Sequence, residues 1–325
     1  MITSCLSLRT TVALGAGLTA FVCRGKILEK VEQLFQWAIT KAFYVGFQDS
    51  LTPKELADRR QTYFDQFNTR DLRVDGIDGI HISSTSDAPT GNILVCCLNH
   101  RYQKSHPRHI EPFLQRGADV VLWNPTGMCP RSFGEDLTNI LRKLRHDNPA
   151  AVIALKTYCA SSDPAIKAAA ELDDPNIHVI VDRGHGDVQT LASSHTGLAN
   201  LPLVKRILSR DFDCEGRDKI DQVRGRMLFL TPKDVDQVMD YGVKNLTREL
   251  YTKRPHASLL ELSPQDHWSS WGAPTYNKVL DFLANVGVVQ NHYAPVDKAA
   301  YPVPEAPSCF KRKVVPPLMK CTGWA

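Results

Sequence analysis

The chain has 325 residues and an apolar share of 43%, which is enough to bury a substantial core in one large or two smaller domains. Its formal net charge of +4 is small and spread along the sequence, which gives no reason to expect nucleic acid as a partner. Two of the nine cysteines, Cys96 and Cys97, are adjacent in an apolar run, where successive side chains of a strand point to opposite faces. Such a pair makes a poor disulfide framework, so we expect the folded domain to lie in a reducing compartment.

Residues 10–23 form an apolar run with Arg9 before it and Arg24 and Lys26 after it. The run is too short for a comfortable membrane span, and no small-x-small cleavage site follows it. Three interpretations stay open: a membrane-surface anchor, a cleaved signal peptide and a packed N-terminal helix. We expect membrane association with the folded domain on the cytoplasmic side, and an exported protein is the alternative.

Residues 1–70 are predicted to form an N-terminal extension of apolar and amphipathic helices. Apolar residues recur at helical spacing over residues 27–47. The sequence Thr52-Pro53-Lys54-Glu55 is a capping box with proline at the first helical position, so a second helix begins there and ends near Asn68. Two Asp-Gly pairs within residues 73–83 then predict a hairpin.

From residue 93 onward, short apolar runs alternate with helical segments. The predicted strands cover residues 93–98, 120–123, 151–155, 177–182, 227–231 and 258–262, and the predicted helices cover residues 108–116, 132–145, 164–172, 236–251 and 275–289. The helix at residue 132 is predicted to open with a capping box between Ser132 and Glu135. This alternation predicts an α/β domain over residues 71–293, with a doubly wound, mostly parallel sheet and a short cap of short helices over residues 184–223. Residues 294–325 are proline-rich and basic, which predicts an extended tail.

Residues suited to nucleophilic catalysis follow three of the predicted strands. Cys159 lies in a tight turn between a strand and a helix, whose amino terminus favours the thiolate. Asp234, with Asp236 as an alternative, follows the strand at 227–231, and His267 follows the strand at 258–262. Ligands bind beyond the carboxyl ends of parallel strands, so these side chains are expected at one site. The structural alternatives are a buried thiol, a helix cap and a surface histidine.

The order Cys159, Asp234, His267 resembles the nucleophile, acid and histidine order of the α/β-hydrolase superfamily. Three further blocks are similar to that family. The stretch Leu98-Asn99-His100-Arg101-Tyr102 resembles the loop that supplies half of its oxyanion hole, and residues 123–132 resemble its loop from a strand through a glycine to a serine. Residues 156–162 resemble the nucleophile elbow, where a cysteine in place of serine is similar to dienelactone hydrolase-like members.

This resemblance, over residues 73–289, implies an α/β-hydrolase fold and a hydrolase of carboxylic esters or thioesters that forms an acyl-enzyme. It implies Cys159 as the nucleophile, His267 as the base and Asp234 as its orienting acid. The backbone N–H groups of Ala160 and of Arg101 or Tyr102 would then hold the oxyanion.

The expected substrate is a small molecule or a lipid acyl group, met at a membrane surface through the apolar N-terminal segment. No cofactor is implied. His100, His106 and His109 fit no standard set of metal ligands, so no metal is expected either.

Several positions depart from the pattern of the family. Thr157 and Ser161 stand where the elbow has glycines, so strain from their side chains is expected. Pro164 lacks the N–H that a helix beginning at Ala160 would use, and His100 replaces a glycine of the oxyanion loop. The alternative function is therefore that of an inactive α/β-hydrolase-fold protein acting as a binding scaffold.

Overall fold

The computed structural model describes residues 30, 33–34, 52–74, 76–98, 101–127, 129–184, 202–207, 209–210, 215–233, 246–254, 256–262, 270–292 and 294–303. Within this part of the chain, the strands are β1 (Thr69–Asp71), β2 (Asp78–Ile82), β3 (Ile93–Cys97), β4 (Asp119–Asn124), β5 (Ile153–Tyr158), β6 (Ile177–Asp182), β7 (Met227–Pro232) and β8 (Ser258–Leu262). They form one sheet in the order β1-β2-β4-β3-β5-β6-β7-β8. β2 is antiparallel to both of its neighbours, and β3 to β8 are mutually parallel. The predicted mostly parallel α/β sheet is thus confirmed.

The helices in the described residues are α1 (Pro53–Gln66), α2 (Glu111–Leu114), α3 (Pro130–Asp147), α4 (Ser162–Leu172), α5 (Pro202–Ile207), α6 (Gly216–Lys219), α7 (Leu246–Thr252) and α8 (Ala273–Asn285). Single turns of 3-10 helix cover Tyr102–Lys104, Pro107–His109, Cys159–Ser161 and Ile220–Gln222. The predicted capping box of α1 is present, because Thr52 Oγ1 accepts the N–H of Glu55 and the Glu55 carboxylate accepts the N–H of Thr52. No helix in the described part of the chain is long and apolar enough to cross a membrane.

Two apolar layers cover the two faces of the sheet. Strand alternation places Cys97 in the core beneath α3, α4 and α7, and places Cys96 in the core beneath α1, α2 and α8. The two adjacent thiols therefore point to opposite faces, as predicted. All four cysteines among the described residues are free thiols.

The predicted hairpin exists, but its strands and turn differ from the prediction. β1 and β2 pair antiparallel, and the turn between them closes with a bridge between Val74 and Ile77. Gly79 was expected to form part of a turn but lies inside β2. A Cβ there would stand 3.0 Å from the carbonyl oxygen of Leu122 and 2.9 Å from Leu72, so this glycine allows close packing between neighbouring elements.

Proline changes two of the predicted helices. The segment predicted as one helix over residues 108–116 is a 3-10 turn followed by the short α2, because Pro112 cannot donate a helical N–H. The capping box predicted at Ser132 is wrong: α3 begins at Pro130, which suits the first helical position, and Cys129 is its N-cap.

The ends of the chain lie largely outside the described residues. The predicted helix over residues 27–47 is described only at Lys30, Gln33 and Leu34. At the other end, residues 294–303 run against α8, where the Tyr301 ring packs on Tyr276 and its carbonyl accepts the N–H of Ala273.

Candidate active site

The turn after β5 carries the predicted nucleophile. β5 ends at Tyr158, and Cys159 begins the 3-10 turn that leads into α4. Cys159 is half-buried, and its φ of 55° lies in the left-handed region. That backbone costs a residue with a Cβ about 1–2 kcal/mol, so the surrounding structure must hold the turn in place. The result is a sharp, strained strand-to-helix turn at the carboxyl edge of the sheet.

Ser161 connects this turn to the sheet. Its hydroxyl donates to the carbonyl of Cys97 at 2.7 Å and accepts the N–H of Tyr158 at 2.9 Å. Its φ is −72°, so the strain expected at this position is absent and the left-handed conformation falls on Cys159 instead. The serine stabilises the turn because it satisfies two backbone groups that glycine would leave without these partners.

Thr157, the second residue expected to be strained, lies within β5 and is fully buried. Its hydroxyl donates to the carbonyl of Ile180 at 2.9 Å and accepts a hydrogen bond from the Ser162 hydroxyl at 2.8 Å. These bonds connect the start of α4 to β6. Gly184 lies so close to this contact that a side chain there would clash, since a Cβ would stand 1.9 Å from Ser162 Oγ.

Pro164 does not conflict with the helix, because α4 begins at Ser162 and not at Ala160. Pro164 is then the third helical residue, where the N–H has no intrahelical acceptor in any case. The amino terminus of α4 lies directly after the 3-10 turn that contains Cys159.

The structure distinguishes the two candidate oxyanion donors that follow β3, Arg101 and Tyr102. The N–H of Tyr102 donates to Asn124 Oδ1 at 2.9 Å in a fully buried contact, so it does not face a substrate. This bond excludes the N–H of Tyr102 as an oxyanion donor and leaves the N–H of Arg101 as the candidate donor from this loop. Ala160, the other predicted donor, follows Cys159 directly and is buried.

The remaining predicted residues, Asp234, Asp236, His267 and His100, lie outside the described residues. The strands that precede the acid and the histidine are described and end at Pro232 and Leu262. Both strands are parallel to β5, so they end at the sheet edge that carries Cys159.

The other described thiols differ from Cys159 in their surroundings. Burial raises the pKa of Cys96 to about 11 and holds the pKa of Cys97 well above its usual range. Cys129 is half-buried at the amino terminus of α3, where its Sγ accepts the N–H of Ser132 at 3.4 Å. Cys129 is thus as exposed as Cys159, but it is itself the N-cap of a helix, whereas Cys159 lies two residues before the N-cap of α4, Ser161.

A buried ion pair beside the elbow was not predicted. Asp182 ends β6 and is paired in register with Tyr158. Arg183 folds back onto it with φ 47°, donating from Nε to Oδ1 at 2.8 Å and from one terminal nitrogen to Oδ2 at 3.0 Å. The Trp271 indole N–H donates to Oδ2 at 2.9 Å. Since both carboxylate oxygens are engaged, Asp182 acts as a structural anchor at this edge.

Two cation–ring contacts surround this pair. The Arg183 guanidinium lies 5.2 Å from the centre of the Tyr158 ring, and the Lys156 ammonium lies 4.4 Å from the centre of the Trp271 ring. Asp182 ends a predicted strand, so the strand-end rule that selected Asp234 could have identified it. Its engagement by the very next residue depends on a left-handed backbone that the sequence does not reveal.

A groove of about 570 Å³ lies between α3 and α4. Small residues, Gly134, Pro164 and Ala168, line it together with charged side chains such as Arg131 and Arg142. None of the elbow residues lines this groove, so it is separate from the candidate active site.

Comparison with solved structures identifies the fold. An esterase from Pyrococcus furiosus aligns with a TM-score of 0.51 and 15% identity, covering 73% of this chain and 95% of its own. A dienelactone hydrolase from Anabaena variabilis aligns with a TM-score of 0.50 and 13% identity, covering 68% and 98%. A carboxyl esterase from Bacillus coagulans aligns with a TM-score of 0.50 and 10% identity, covering 68% and 99%.

Neither a protein-family model nor a curated protein sequence matches the chain. The structural similarity covers about two thirds to three quarters of this chain and nearly the whole length of these three neighbours. The chain therefore has the α/β-hydrolase fold.

Proposed function

We propose that this protein hydrolyses carboxylic esters or thioesters, with Cys159 as the nucleophile. The observation that carries the proposal is the left-handed backbone of Cys159 at the carboxyl edge of β5, immediately before α4. Residues held in such a conformation cluster at active sites, where the surrounding structure maintains the strain. The structural neighbours, two esterases and a dienelactone hydrolase, support the same class of reaction.

The proposed reaction uses groups from several strand ends. The Cys159 thiolate attacks the carbonyl carbon, and the backbone N–H groups of Ala160 and Arg101 stabilise the oxyanion. His267 protonates the leaving alcohol or thiol and then accepts a proton from the water that attacks the acyl-enzyme. Asp234 orients the imidazole and stabilises its charge. The products are a carboxylic acid and an alcohol or thiol.

We further propose that the substrate carries an acyl chain and is met at a membrane surface in a reducing compartment. Residues 10–23, which support this proposal, lie outside the described residues. One weak apolar anchor gives only marginal, reversible binding. Flotation of the full chain with anionic vesicles should therefore be partial, and it should fall when residues 10–23 are deleted. Equal flotation of the two proteins would contradict the anchor.

Thiol labelling tests the nucleophile and has an internal control. Iodoacetamide labelling of the full chain, resolved by residue with mass spectrometry from pH 5 to 9, should modify Cys159 at least about tenfold faster than Cys129 near neutral pH. Cys129 is the control thiol, because it is half-buried like Cys159 and lies at the N-cap of a helix, whereas Cys159 lies just before one. His267→Ala should remove the difference, and Cys159→Ala should abolish hydrolysis of p-nitrophenyl esters and thioesters.

Two results would contradict the proposal. If Cys159 labels no faster than Cys129 and does not respond to His267→Ala, there is no thiolate–imidazolium pair, and a binding scaffold is the better description. If esters are hydrolysed equally well by Cys159→Ala, the protein is a hydrolase but the nucleophile is a different residue.

A further inference from the structure

Asn124, at the carboxyl end of β4, uses its side chain to hold the loop that follows β3. Its Oδ1 accepts the N–H of Tyr102 at 2.9 Å, and its Nδ2 donates to Asp78 Oδ2 at 2.6 Å and to Gln103 Oε1 at 3.1 Å. Asn124 and Gln103 are each 4% exposed, and Tyr102 is fully buried. Breaking these bonds would leave polar groups buried without partners, which is costly.

The partners of Asn124 are fixed in turn by charged residues. Asp78 is the register partner of Asn124 across β2 and β4, and its Oδ1 accepts from Arg60 at 2.5 Å. The same guanidinium donates to Asp71 at 2.7 Å and to the Tyr102 hydroxyl at 2.5 Å. The loop is thus held at the backbone of Tyr102 by β4 and at its phenol by α1.

We infer that Asn124 is a positioning residue for the oxyanion hole, and this inference rests on the proposed function. By accepting the Tyr102 N–H, Asn124 removes that group from the reaction and sets the position of the preceding residue, Arg101, whose N–H is the proposed donor. Oxyanion donors stabilise a transition state only when they are already in place, and a misplacement of about 1 Å can cost about 100-fold in rate. Asn124 touches no reacting atom in this scheme, and it acts through the loop.

The first variant is Asn124→Ala, measured in the full chain for ester hydrolysis and for amide hydrogen exchange at Tyr102. We expect kcat to fall by about 10- to 100-fold with KM changed less than about threefold, because the lost interaction forms only in the transition state. The Tyr102 amide, protected in the wild type by its bond to Asn124, should exchange faster. Gln103→Met is the matched control: it removes the bonds of the Gln103 side chain to the Asn124 amide and to Asp78. It leaves the bond between Tyr102 and Asn124 in place and should keep kcat within about threefold.

A double variant that exchanges the side chains of Asn124 and Asp78 keeps the test informative if Asn124→Ala fails to fold. Asn124→Asp alone places a second carboxylate beside Asp78 and should lose as much kcat as Asn124→Ala. The double variant N124D/D78N lets residue 124 accept from both the Tyr102 N–H and the new amide at 78, so it should recover most of kcat and the slow exchange. A merely structural role predicts that the single variants lose stability but keep the kcat of the folded protein, so that the double variant recovers stability alone.

The outcomes separate this inference from the proposed function. An active wild type in which Asn124→Ala speeds exchange at Tyr102 but leaves kcat unchanged, or raises only KM, would overturn the inference and leave the hydrolase intact. A wild type with a slowly exchanging Tyr102 amide and no hydrolysis of any ester or thioester would overturn the proposed function, and with it the catalytic purpose of the anchor.

Discussion

Replacing Cys159 by glycine and by alanine tests whether the turn is strained in the way that its φ of 55° requires. Both variants lose the thiol, so they differ only in the Cβ. A Cβ at left-handed φ costs about 1–2 kcal/mol, whereas glycine adopts this region freely. Glycine also loses about 0.5–1 kcal/mol more conformational entropy on folding than alanine does. The difference predicts that Cys159→Gly is more stable than Cys159→Ala by about 0.5–1 kcal/mol.

The next residue provides the control. Ala160 does not have a positive φ, so Ala160→Gly gains no relief and should lose about 0.5–1 kcal/mol against the wild type. The effect of a glycine therefore has opposite signs at two adjacent positions of one turn. The free energy of unfolding of all three variants is measured by urea denaturation at pH 7, followed by tryptophan fluorescence. If glycine destabilises both positions by a similar amount, the turn is not strained at Cys159 and the elbow geometry is wrong.

Three further variants test buried contacts around the sheet. Ser161→Ala should destabilise the fold by about 2–3 kcal/mol in urea denaturation, because it removes two bonds to buried backbone groups, and a loss under 0.5 kcal/mol would contradict those bonds. Burial, together with the nearby Arg226, lowers the pKa of His178 from 6.5 to about 4, so the unfolded chain binds the extra proton first as the pH falls. Stability should therefore drop by about 3 kcal/mol in total between pH 6.5 and 4, and His178→Asn, which keeps an acceptor for the Arg226 N–H, should remove that part of the pH dependence. Gly225→Ala should lower the melting temperature, since its Cβ would lie 1.8 Å from the carbonyl oxygen of Ile177, and an unchanged melting temperature would contradict that contact.

The buried parallel strands were the most predictable part of the fold. β6, which is buried along its whole length, has the predicted bounds, because such strands appear in sequence as short apolar runs between turns. β8 also has the predicted bounds, although only Leu262 of its five residues is buried. β5 was predicted to end at Leu155 but continues to Tyr158. Its last residues include Lys156 and Tyr158, whose polar groups interrupt the apolar run from which the strand was predicted. Pairing with β3 and β6 nevertheless extends the strand through these residues.

The turn that carries Cys159 was predictable, but the bonds that support this turn and its surroundings were not. The strand-end rule placed Cys159 on the turn after β5 from the local sequence alone. The bond from Ser161 to Cys97 spans 64 residues, and the bond from Tyr102 to Asn124 spans 22. Contacts of this kind depend on which strands are neighbours in the sheet, and no local pattern encodes that. The same limit applies to Tyr102, because nothing in the local sequence shows that the side chain of Asn124 accepts its N–H.

The strain at Cys159 and the polar contacts around it favour an enzyme over an inert scaffold. A scaffold needs only the turn, and glycine at position 159 would form that turn at lower cost. The chain instead has a thiol there and uses the hydroxyls of Thr157 and Ser161 to hold the conformation. The side chain of Asn124 also fixes the loop that carries the proposed oxyanion donor, Arg101. For a hydrolase, Cys159→Gly should gain stability over Cys159→Ala while acyl-enzyme formation is lost in both, which is the trade-off between stability and activity expected of a strained active site. For a scaffold, Cys159→Gly should show the same gain in stability, but neither the wild type nor the variants should hydrolyse esters.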